Sequence, residues 1–272
     1  MLSWTATSRA LFVAILPPAA LAIAAPWIHV RGIAAVTIAY AVASSTIIAA
    51  TSGARLEPLR PPRTAVGFGV LGAALMAAGL LLSRIGHTRA PYELASGFVG
   101  TLGVLTLGTT LGASVGLRIQ HAGHLLAVAL ASSAADIWSV HAPEGVTHAV
   151  VHTRDVALQR MFTVSAAVPP FRFPEAVIGL GDVIFVALYL ATAERHELSR
   201  PRMIAALACG LLAAGAIAIV LARPIPALPA IGAAVVLFTP QARVIQRHDR
   251  FPTAVAAALL VAAIGRVLLL RR

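Results

Sequence analysis

Two of the four aspartates in the chain stand inside apolar runs, and these are the residues most able to do chemistry. Asp136 lies near the end of the run from Leu125 to Val140. Asp182 lies near the start of the run from Ala176 to Ala193, in the string Gly179-Leu180-Gly181-Asp182. An ionisable side chain within a membrane helix is costly and marks a functional site by default. If both runs are helices, the polar stretch 141–175 joins them on one membrane face. Each aspartate is then roughly five to six residues in from that face, about 7–9 Å deep. Two carboxyls at matched depth in a shared low-dielectric site do not both ionise. One keeps its proton while the other takes one from water, which is the acid and base pair of an aspartic protease. That chemistry needs no metal and no organic cofactor. Gly179 and Gly181, with no Cβ, are expected to let the first turn of the Asp182 helix approach its partner closely.

The run from Met203 to Leu221 carries the chain back across, so that Pro226-Ala227-Leu228-Pro229 emerges on the face where the aspartates are. Two prolines three residues apart remove N–H donors and open the local helix. At membrane depth that is tolerated where backbone lines a cavity or meets a partner. These four residues are the candidate substrate contacts.

GLGDVIF followed by PALP resembles the presenilin and signal-peptide-peptidase family of intramembrane aspartyl proteases, in its prokaryotic form. That family has an aspartate on one helix, GxGD on the next and PAL at the start of a later core helix. The stretch from Asp136 to Gly145 is similar to the family's first-aspartate segment, with Asp, Val, Pro and Gly at matching spacings. The family usually has Tyr before the first aspartate, and this chain has Ala135. The resemblance covers roughly residues 125–239. It implies catalytic roles for Asp136 and Asp182, support from Gly179 and Gly181, and substrate binding by Pro226, Ala227, Leu228 and Pro229. It also implies transmembrane-helix proteins or peptides as substrates, and a segment before GxGD that clamps the substrate as a strand.

Composition sets the class. With 59% hydrophobic and 11% charged residues and a mean hydropathy of +0.88, the chain reads as an all-α polytopic membrane protein. The net charge of +11 comes from arginine alone, since no lysine is present. Arginines at segment ends point to topology and anionic headgroups, and not to nucleic acid. They divide almost evenly between the two faces, so charge sets no orientation. The single cysteine, Cys209, excludes an intrachain disulfide.

About nine spans are expected. Residues 1–118 hold four, the first with Pro17 and Pro18 in its middle. That kinked segment reads as a retained helix, although residues 1–24 also fit a cleavable signal. The second to fourth run over 32–50, 64–82 and 91–117, with a basic loop at 55–63. Gly108, Gly112 and Gly116 in the fourth form a small-residue ladder suited to a tight helix contact. Residues 119–240 hold the two aspartate helices, their connecting loop 141–175 and the PALP helix, short for a bilayer of about 30 Å. Residues 241–272 add one span more than the resembled family carries, while one fewer precedes Asp136. In the loop, 146–162 has the pattern of an interfacial helix. His148 and His152 sit four apart with no acidic third ligand, so they read as loop histidines, as do His121 and His124. The approach Pro169 to Pro174 is too proline-rich for helix and is expected to be extended.

The function expected is hydrolysis of peptide bonds in or near transmembrane segments, in a multi-pass protein of a prokaryotic cell membrane. Two alternatives share its features. A prepilin-peptidase-like enzyme also uses GxGD and two aspartates, and a proton-coupled transporter also uses paired intramembrane acids.

Overall fold

The computed structural model describes residues 10, 13–53, 62–86, 90–153, 155–169 and 174–270. The helices are α1 (Leu16–Ala24), α2 (Ile33–Gly53), α3 (Pro62–Gly86), α4 (Ala90–Gly116), α5 (His124–His141), α6 (Val146–His152) and α7 (Val156–Met161). A two-stranded hairpin follows, β1 (Thr163–Ala167) and β2 (Pro174–Gly179), and then α8 (Leu180–Arg195), α9 (Arg200–Leu221), α10 (Leu228–Phe238) and α11 (Arg250–Leu270). Among the described residues, six helical stretches are long and apolar enough to cross a membrane: α2, α3, α4, His124–His152, α9 and α11. The chain is therefore a predominantly helical membrane protein. The other three expected spans are shorter, namely Leu16–Trp27, the 16 residues of α8 and the 11 residues of α10.

The chain forms two compact units, 1–117 with 154–191, and 118–153 with 192–272. In the first, α3 and α4 pack side by side along their length. Glycine makes that contact close: a Cβ on Gly72 would lie 2.7 Å from the Leu107 amide nitrogen, and one on Gly103 would lie 2.6 Å from that of Met76. Small residues substitute for hydrophobic driving force where lipid is as apolar as the side chains. The hairpin nests among α1, α2 and α4. Ala167 of β1 packs with Leu21, Ala22 and Ala25, ringed by Ile38, Val42 and Phe98. Ser165 N–H donates to Thr101 Oγ1 of α4 at 3.0 Å. Arg160 pairs with Glu93, and Arg84 with Asp155, at the end of the unit where α4 begins. Asp155 also caps α7, accepting from Leu158 N–H at 3.1 Å. That amide first, and then Arg84, holds the exposed Asp155 carboxyl below the ordinary aspartate range.

In the second unit α10 is flanked by α9 and α5, and α5 is flanked by α10 and α11. A Cβ on Gly210 would come within 2.6 Å of Ile231 Cα, and one on Gly232 within 3.0 Å of Ala129 Cβ. Leu207, Leu211, Leu228, Ile231 and Val235 are buried between these helices. Arg243 closes the end of α10, donating Nε to the Val236 carbonyl at 2.8 Å and a second nitrogen to that of Leu237.

The first run is helical on both sides of a turn at Ile15, with Pro17 and Pro18 in the first turn of α1 just after it, an interruption where the prolines were expected to kink it. Two sequence expectations change. The single interfacial helix expected over 146–162 is two, α6 and α7, and Asp155 starts the second. The apolar run from Ala176 begins as strand and turns helical only at Leu180. Of the extended approach, Pro174 opens β2, while 170–173 lie outside the described residues, as does most of the basic loop, 54–61.

Candidate active site

In the first unit, β2 runs directly into α8, so the GLGD string straddles a strand-to-helix junction. Gly179 ends the strand opposite Thr163, and Leu180 N–H still donates to Phe162 O at 2.8 Å. Asp182 follows in the first turn of α8, where its half-buried carboxylate accepts from Gly179 N–H at 3.3 Å. This reach back over three residues satisfies one of the amides a helix start leaves open, and the helix dipole favours negative charge there. The expected role of glycine in close approach falls elsewhere in this unit. A Cβ on Gly179 would make only an ordinary 3.6 Å contact with Asp182 Oδ2, and no atom of the unit lies within 4 Å of one on Gly181. The Gly108, Gly112 and Gly116 ladder of α4 is what grips the Asp182 helix: a Cβ on Gly112 would overlap the Ile184 carbonyl oxygen, and one on Gly108 would lie 2.7 Å from Val183 Cγ1.

Sequence reasoning missed one neighbour of Asp182. Tyr40 of α2 lies close enough for its hydroxyl and the carboxylate to interact electrostatically. It is the one titratable side chain on α2, a helix that packs on β1 and β2. A lone phenol in a long apolar run was the only signal for it. Tyr40→Phe keeps the ring and deletes the hydroxyl, and on a reading in which Asp182 is a catalytic acid it is expected to slow turnover about 10-fold with little change in KM. An unchanged rate would make the phenol a bystander.

In the second unit Asp136 sits near the end of α5, half-buried, with Oδ2 accepting from Leu228 N–H at 2.9 Å. The Ala227 amide donates as well. These are the first amides of α10, so the Asp136 carboxylate is held at a helix N-terminus built from the PALP segment. Pro229 supplies a fixed φ in that first turn, where its missing N–H costs nothing. Ala227 and Leu228 thus meet Asp136 through backbone. The acid and the PALP segment, 92 residues apart in sequence, are brought together. Asp136 and PALP belong to the second unit, and the GLGD turn belongs to the first.

Three of the histidines expected in loops lie on helices instead, His148 and His152 in α6 and His124 at the start of α5. His152 Nδ1 meets the His148 carbonyl at 2.9 Å with the two rings stacked 4.0 Å apart, and His124 pairs with Asp249. Among the described residues no group of three or more His, Cys, Asp or Glu side chains is placed to hold a metal ion. A scan of the chain against protein-family models found no match, and searches of curated proteins and of solved structures likewise found none.

Proposed function

We propose that the protein is an intramembrane aspartyl endopeptidase with a presenilin-like core, using Asp136 and Asp182 as its two acids. The observation that supports this most is the hydrogen bond from Leu228 N–H to Asp136 Oδ2. It joins two elements that the sequence marks independently, an acid in an apolar helix and a proline-bounded segment that interrupts another.

A client transmembrane helix must unwind before hydrolysis, because its amides are shielded by their own hydrogen bonds. Among the described residues β2 pairs with β1 on one side only, and such an edge offers N–H and C=O groups to an extended peptide. Water activated by the ionised carboxylate attacks the scissile carbonyl carbon, and that carboxylate takes the proton it releases. The protonated partner donates to the amide nitrogen as the C–N bond breaks, leaving one new carboxyl and one new amine. Donors already aimed at Asp136 hold that carboxylate without reorganising during the step.

The test is cleavage of a single-span reporter by the purified protein, comparing wild type with Asp136→Ala and Asp182→Ala. Substrate-dependent proton flux in liposomes, with no peptide cut, would favour a transporter instead.

A further inference from the structure

We propose that α11, the helix beyond the PALP core, sets the height of α5, and that Arg266 is the residue through which it positions Asp136. The two helices run parallel and pack along their length. They are tied at both ends. At their starts, His124 Nε2 and Asp249 Oδ1 are 2.8 Å apart, with the Asp249 side chain only 8% exposed. At their ends, the Arg266 guanidinium lies over the Trp138 ring, 4.0 Å from its centroid. The same Arg266 donates to Glu144 Oε1 at 2.6 Å, just past the end of α5.

Trp138 is two residues beyond Asp136, about 200° round the helix at about 100° per residue. Arg266 therefore holds the back of the turn whose front carries the catalytic carboxyl. On the front, Gly232 lets α10 close to Ala129, seven residues before Asp136 and on the same face. A slide of α5 by one residue is about 1.5 Å. That would lengthen the 2.9 Å contact between Leu228 N–H and Asp136 to between about 3.3 and 4.4 Å, depending on its angle to the helix axis, and so weaken or break it. A helix free to slide loses its carboxylate partner, and a helix tied at two points does not.

The inference rests on the protease reading of Asp136, and two readouts separate their failures. Reaction of Asp136 with dicyclohexylcarbodiimide, followed by peptide mass spectrometry, needs no substrate. Arg266→Ala is expected to label Asp136 about 5-fold faster than wild type, because the carboxyl leaves the shelter of its amide donors. Arg266→Lys keeps a cation over the ring and a partner for Glu144, and it is expected to label within about twofold of wild type. In cleavage of a fluorophore- and quencher-tagged polyleucine single-span peptide, Arg266→Ala should lower kcat about 10-fold with KM unchanged, and Lys should restore it. If Arg266→Ala does not fold, Trp138→Leu removes the same contact from the other side and is read in the same way. Labelling of Asp136 within about twofold of wild type in a folded Ala or Leu variant would overturn the positioning role, whether or not the protein cleaves. Failure of wild type to cleave would count against the protease reading alone, and the labelling comparison would still decide the role of Arg266.

Discussion

Asp136→Ala and Asp182→Ala are each expected to reduce cleavage of a single-span reporter by at least about 10³-fold, and the double variant is expected to be no worse than either single one. On the protease reading acid and base act as one unit, so removing either leaves no pair, and the effects do not add. The asparagine variants sharpen the test. Asp182 also accepts from Gly179 N–H at the start of α8, and a capping contact of that kind stabilises by about 0.5–2 kcal/mol. Asp182→Asn keeps an oxygen acceptor there and loses only the ability to ionise. A capping role alone predicts an active Asn variant with a nearly unchanged melting temperature. A catalytic role predicts an inactive one. The same logic holds at Asp136, where an Asn oxygen can still accept from Leu228 N–H. Wild-type rates in both Asn variants would sink the assignment of the acids.

The second large effect is structural. Gly112→Val is expected to lower stability by about 3 kcal/mol, read as a fall of about 6–12 °C in the Tm of the detergent-solubilised protein, and to abolish cleavage. The new Cβ would overlap the Ile184 carbonyl oxygen and stand 2.8 Å from Ala187 Cβ and 2.9 Å from the Leu188 amide nitrogen. Two of these three neighbours are backbone of α8, which cannot rotate aside as a flexible side chain would. The helix carrying Asp182 must move as a body, and the carboxyl moves with it. Gly69→Ala on α3 is the control: its Cβ meets nothing within 4 Å, so stability is expected to hold or to rise by up to about 1 kcal/mol from helix propensity. Equal melting of Gly112→Val and wild type would show that α4 and α8 are not in this contact.

Much of this architecture is legible in the chain before folding. The bounds expected for α2, α4, α5 and α9 fall within a few residues of those observed, because apolar runs of that length ended by arginine, glycine or proline have few other outcomes. The link between Asp136 and PALP is legible as a placement on one face, although not as a hydrogen bond from the Leu228 amide. The junction at Gly179 is not legible. An unbroken apolar run such as Ala176 to Ala193 reads equally as buried strand or helix, and periodicity cannot divide it. What divides it is β1, a short strand of small residues whose pairing is long-range and leaves no local pattern. Tyr40 is hidden for the same reason, since its neighbour comes some 140 residues later in the chain. The ladder at Gly108, Gly112 and Gly116 announces a close contact, but nothing local names the Asp182 helix as its partner. The terminal helix reads only as one span too many until Arg266 is seen against Trp138.

The shortness of α10 has a consequence for the lipid. Eleven residues make a helix of about 16 Å, and Arg243 folds back on its last carbonyls, so the apolar length cannot be extended by fraying. Against a hydrocarbon core of about 30 Å the mismatch is roughly 14 Å. Bilayer deformation costs fractions of a kcal/mol for each Å, and this cost falls as acyl chains shorten. Turnover in vesicles of matched headgroup is therefore expected to rise from 18-carbon to 14-carbon lipids, and a flat profile across that series would mean that neighbouring helices shield α10 from lipid. On the protease reading, the thickness of the membrane becomes an input to hydrolysis, and turnover should be highest where the membrane is thinnest.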